Sequence, residues 1–154
     1  MSRAVVRGFL GRRLTEARTR YDDGRGMTIQ DLARISGVSV PTLHRWEKDL
    51  TVPQIDKLRN VAEALSIPIP MEDLIVVPRS ERYPVDWRAI HGLLQPTLGR
   101  ITGIETSVIS QIERATRAPT PKQAAAIAKV YGITVNEFME CFERVRTLPS
   151  GAGY

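Results

Sequence analysis

Leu32 to Pro53 reads L-A-R-I-S-G-V-S-V-P-T-L-H-R-W-E-K-D-L-T-V-P, and Leu98 to Pro119 reads L-G-R-I-T-G-I-E-T-S-V-I-S-Q-I-E-R-A-T-R-A-P. The second stretch repeats the first 66 residues on, the separation of Gly37 and Gly103. Leu32, Arg34, Ile35, Gly37, Glu47 and Pro53 recur as Leu98, Arg100, Ile101, Gly103, Glu113 and Pro119. Ala33/Gly99, Val38/Ile104, Leu43/Ile109 and Trp46/Ile112 keep small or bulky apolar character in register. A repeat at fixed spacing fixes the architecture before any single motif does. Each copy describes two short helices joined by a tight glycine turn, with polar side chains opening the second helix. That is the shape that enters a DNA major groove.

Composition sets the class. The chain has 154 residues, 42% hydrophobic and 25% charged, the balance of an ordinary soluble globular protein. Two copies imply two domains of about 65–75 residues, a size at which one apolar core is just sufficient. No apolar run reaches the roughly 18–20 residues of a membrane span. The start, M-S-R-A-V-V-R-G-F-L-G-R-R, lacks a secretory signal's apolar core and cleavage site. Cys141 is the single cysteine, which excludes an intramolecular disulfide and a cysteine-based metal site and points to a reducing cytoplasm, in a prokaryote or a phage-infected host. The net charge of +5 sits in residues 1–20, where six arginines face only Glu16. A basic arm leading into a helix suits phosphate tracking, with Arg3 and Arg7 as backbone contacts. The alternative is a solubilising helix face.

The expected fold is all-α: two helix-turn-helix domains of about five short helices each. Residues 1–76 form the first domain with its basic arm, 77–85 a linker, 86–147 the second domain and 148–154 a flexible tail. Leu10, Leu14, Ala17 and Tyr21 mark a helix over Phe9 to Tyr21. Thr28 caps a helix over Ile29 to Ser36, and Ser39 caps one from Val40 to Lys48, with Pro41 in its first turn. Gly37 and Gly103 stand where a side chain would clash in a positive-φ turn. A helix follows Pro53, and a short fifth one brings Ile67, Ile69 and Leu74 into the core. V-P-R-S-E-R-Y-P (77–84) is polar and proline-bounded, hence the linker. The second domain reads as helices at Asp86–His91, from Gln95, at Thr106–Arg114, Pro121–Tyr131 and Val135–Phe142.

Both copies resemble the phage lambda repressor/Cro-type, XRE-like helix-turn-helix family, over roughly residues 9–75 and 86–142. The pattern runs from a polar cap through L-A, a spacer, G-V-S, T-I-S, an apolar residue and E to a later proline. A-E-A-L-S-I (62–67) and A-K-V-Y-G-I (128–133) match its trailing segment. The resemblance implies that the glutamate closing each third helix pairs with an arginine of the first, Glu47 with Arg18 and Glu113 with Arg88. It also implies a phosphate-gripping glutamine at the start of the second helix, a position held by Ile29 in the first copy and Gln95 in the second. The family glycine after the E-basic pair is Asp49 in one copy and Ala115 in the other, and Glu105 replaces a serine cap.

On a helix whose N-terminal part enters the groove, the first, second, fifth, sixth and ninth positions face DNA. These are Val40, Pro41, His44, Arg45 and Lys48 in the first copy, and Thr106, Ser107, Ser110, Gln111 and Arg114 in the second. Thr28, Gln30 and Ser39 complete the first set. Val40 and Pro41 suit thymine methyls, Arg45 suits guanine O6 and N7 or a phosphate, and Gln111 suits adenine. Thr42 reads as a packing residue. The sets differ, so one chain would prefer two different half-sites.

No catalytic residues, metal ligands or cofactors are expected. His44 and His91 lie in different copies, with no aspartate or cysteine at ligand spacing. The reading is a sequence-specific double-stranded DNA-binding regulator, a repressor on an asymmetric bipartite site, acting as a monomer on DNA, with a homodimer as the alternative. A protein-interaction module, antitoxin-like or a polymerase-binding adaptor, is the competing class.

Overall fold

A computed structural model describes residues 6–149 and is all-helical apart from one isolated bridge. The helices are α1 (Gly11–Arg20), α2 (Ile29–Ser36), α3 (Val40–Glu47), α4 (Ile55–Ala64), α5 (Pro84–Ile90), α6 (Gln95–Thr102), α7 (Thr106–Glu113), α8 (Pro121–Tyr131) and α9 (Val135–Arg146). The chain divides into two compact units, Met1–Val76 with Ile90–Gly92, and Val77–Ala89 with Leu93–Tyr154.

In the first unit α1 packs on α3, and α2 packs on both α3 and α4. Leu14, Leu32, Val38, Leu43, Trp46, Leu58 and Val61 converge between them and are buried. Fully burying each such side chain is worth about 1.5–3 kcal/mol. Local chemistry sets the helix ends. Thr28 accepts the Asp31 N–H at the start of α2, and Ser39 accepts the Thr42 N–H at the start of α3. Gly37 closes α2 at φ 76°, and Gly103 closes α6 at φ 73°. A side chain at either glycine would meet no neighbour, so the turn demands glycine through its backbone angle and not through the clash expected.

Three expectations change in the first unit. The opening helix starts at Gly11, because Gly8 turns at φ 80° and Phe9–Leu10 then pair with residues 74–76: Leu10 N–H donates to Leu74 O, and Val76 N–H to Gly8 O, around the Phe9–Ile75 bridge. Val6 is buried, so the basic arm is tied to the core from that residue on; Arg7 lies within the tied segment, and Arg3 lies outside the described residues. The short closing helix is replaced by turns that bury Met71 and Leu74 and leave Ile67 and Ile69 half-exposed.

The second unit begins earlier than the sequence suggests. Residues 77–83 are not an extended linker but a folded strap containing a 3-10 turn, Arg79–Glu81. The Arg82 guanidinium lies 4.4 Å from the centre of the Trp87 ring, and its Nε donates to Val77 O at 2.8 Å. Arg79 makes a two-pronged ion pair with Glu137, at 2.8 and 2.5 Å, and holds that carboxyl below the usual carboxylate range. Arg144 Nε donates to Arg82 O. An indole face and a carboxylate thus recruit arginines that a polar, proline-bounded string had suggested were solvated. Tyr131 stacks on Trp87, and α9 runs to Arg146, burying Phe138, Cys141 and Phe142.

Candidate nucleic-acid interface

The attitude of each third helix is set by one arginine. Arg18 Nε donates to Glu47 Oε2 at 3.1 Å and Nη2 to Oε1 at 2.9 Å, while Nη1 donates to Met27 O at 3.0 Å. Arg88 repeats this on Glu113, at 2.7 and 3.0 Å, with Nη1 on Leu93 O at 2.9 Å. A fork-shaped cation so ties the end of the third helix to the loop that leads into the second. The pair is buried in the second unit, with side chains 2% and 7% exposed, and less so in the first, at 19% and 8%. Each carboxylate also accepts from a neighbouring polar side chain: the Thr15 hydroxyl at 2.6 Å on Glu47, the Gln95 amide at 2.9 Å on Glu113.

Away from this clamp, α3 presents Pro41, His44, Arg45 and Lys48 to solvent, with Val40 half-buried beside them. Thr28, Gln30 and Ser39 are also exposed. On α7, Thr106, Ser107 and Arg114 are exposed, and Ser110 and Gln111 are half-buried. The candidate readers therefore share one exposed to half-buried side of each helix, opposite buried Leu43 and Trp46 in α3 and buried Ile109 and Ile112 in α7.

Gln95, expected to grip phosphate, has one amide N–H bound to Glu113, which leaves the second N–H of the same nitrogen. Glu105 stands at the cap of α7 without a side-chain cap bond. Two contributors escaped the sequence. Asp49 Oδ1 accepts the Gly11 N–H at 2.8 Å, a contact across 38 residues that no local pattern announces. Thr42 carries a hydrogen-bonded bridge between Ser39 and Arg45, signalled only by the i, i+3 spacing of the three.

Among the described residues, no three His, Cys, Asp or Glu side chains gather where a metal could be held, and no helix is long and apolar enough to cross a membrane. Burial pushes the Cys141 thiol up, away from nucleophile chemistry.

Two short helices joined by a glycine turn, the second held by an arginine–glutamate clamp and open to solvent on its other side, define a helix-turn-helix module, present here twice. A helix-turn-helix family model matches the chain over residues 23–70 and again over 86–138. The chain belongs to this family, of the lambda repressor/Cro, XRE-like type, and carries the domain in tandem. The family is a DNA-binding one and not a family of enzymes, which makes the chain a DNA-binding regulator of XRE type. No curated protein and no solved structure matches the chain.

Proposed function

We propose that the protein is a sequence-specific transcriptional repressor of the cytoplasm that occupies an asymmetric, bipartite duplex site, one half read by α3 and the other by α7. One observation carries this reading. The clamps of the two units are alike, whereas the exposed faces differ at each aligned position: Val40/Thr106, Pro41/Ser107, His44/Ser110, Arg45/Gln111 and Lys48/Arg114. Unlike donors and acceptors read unlike base edges, so the preferred halves differ. A chain with two readers needs no second copy, and the protein acts as a monomer on DNA.

Selection from a random duplex pool tests the reading, with sedimentation of the complex to count chains. An enriched motif with two dissimilar halves, bound by one chain, is expected. A palindrome bound by two chains would replace it with the homodimer.

The protein-interaction reading draws on Ile35, Leu50 and Val52, apolar side chains of the first unit that are more than half exposed. Salt separates the two, because phosphate-led binding falls steeply with salt as counterions are released. No binding to duplex DNA even at low salt would favour the adaptor.

A further inference from the structure

The exposed side of α3 carries a polar ladder at three-residue spacing. Ser39 Oγ accepts the Thr42 backbone N–H at 3.3 Å and shares a 2.7 Å hydrogen bond with Thr42 Oγ1. Thr42 Oγ1 in turn accepts from Arg45 Nη2 at 3.2 Å. A hydroxyl has one proton and two lone pairs, so Thr42 can serve both neighbours at once. The Arg45 guanidinium is thereby held before any ligand arrives. One Nη2 hydrogen is used, which leaves the Nε, Nη1 and remaining Nη2 hydrogens to meet a pair of acceptors such as guanine O6 and N7.

The aligned positions of α7 are Glu105, Val108 and Gln111. Valine has threonine's shape without its hydroxyl, so the second unit lacks the ladder. Its Gln111 is not held by the residue three positions before it.

We infer that Thr42 is a positioning residue for base selection: its hydroxyl pre-sets Arg45 for guanine, making the first unit the stricter reader of the two. A long side chain fixed in advance loses less freedom on binding, and a fixed fork penalises a base that does not match it. The inference rests on the proposed reading of duplex DNA by α3 and adds a specificity role to a residue on its flank.

The test uses the full chain, the duplex most enriched from a random pool, and that duplex with its base pairs replaced one at a time. Arg45→Ala first identifies the base pair that Arg45 reads. Thr42→Val should then lower the preference at that pair by about two- to tenfold, the range of one hydrogen bond. Preferences elsewhere and the salt slope should stay as in the parent, because no phosphate contact is removed. Thr42→Ser, which keeps the hydroxyl, should restore the preference, and Thr42→Val should add nothing in an Arg45→Ala background. Parent-like preference in Thr42→Val, or an equal loss in the Arg45→Ala background, overturns the inference and leaves the proposed function intact. So does an Arg45→Ala variant that keeps every base preference. A pool that yields no enriched duplex overturns both.

Discussion

Asp49 Oδ1 accepts the backbone N–H of Gly11 at 2.8 Å while its own backbone sits at φ 55°, the left-handed region. The N-terminus of α1 has no side-chain cap from its own neighbourhood, so Asp49 supplies it from the end of α3. The sequence marked Asp49 only as standing where the family has glycine. The structure gives it a second task, which glycine could not perform. Asp49→Ala should destabilise the first unit by about 1–2 kcal/mol, the usual cost of a lost cap, and Asp49→Asn by less. Urea unfolding measures both; equal stability of Asp49→Ala and the parent would show the bond to be idle.

Ala115 occupies the matching turn of the second unit at φ 56°, without a functional side chain to justify the strain. Ala115→Gly should therefore raise that unit's stability, by about 0.5–1 kcal/mol after glycine's greater unfolded-state freedom is counted. Thermal unfolding of the variant checks the sign.

The two arginine–glutamate clamps should differ in cost when broken. Glu113→Ala leaves Arg88 charged and almost wholly buried, a change expected to cost about 3–5 kcal/mol. Arg18 reaches solvent, so Glu47→Ala should cost less. The reverse order in urea unfolding would contradict the burial argument.

Burial raises both Tyr131 and Cys141 above their ordinary values, since each loses water when charged. The fold therefore favours their neutral forms. This stability is whole below the unfolded-state values, about 8.5 for cysteine and 10 for tyrosine, and declines as pH rises past them. The second unit should be constant in stability through neutral pH and weaken progressively above about pH 9–10. Cys141, fully buried, should react with an alkylating reagent only as fast as this unit opens. Fast labelling of the native protein at neutral pH would place the thiol at the surface.

Arg45→Ala should weaken binding to the selected duplex by about 1–3 kcal/mol and relax one base pair, and Gln111→Ala should relax a pair in the other half. Uniform weakening over all duplexes would assign Arg45 to phosphate.

The helix-turn-helix core was legible because its cues are local. Thr28, Ser39, Gly37 and Gly103 mark helix ends, and the apolar spacing around Leu32, Val38 and Leu43 marks one face. What escaped depends on residues distant in sequence. The Gly8–Leu10 segment gains partners only once residues 74–76 are folded beside it. The strap at 77–83 reads as linker until Trp87 and Glu137 are brought to its arginines. Gln95 has two anionic targets in principle, a phosphate outside and the Glu113 carboxylate within, and only the packed structure shows its amide on Glu113.

The clamp carries an evolutionary consequence. Arg18 and Arg88 hold their helices on the packed side, while the proposed readers lie on the other side, where substitutions at exposed positions usually shift stability by no more than about 0.5 kcal/mol. A duplicated copy can therefore change its vocabulary of bases step by step without risking collapse. Pro41, His44 and Arg45, all exposed, could give way to the residues of α7 while the clamp keeps the helix in place.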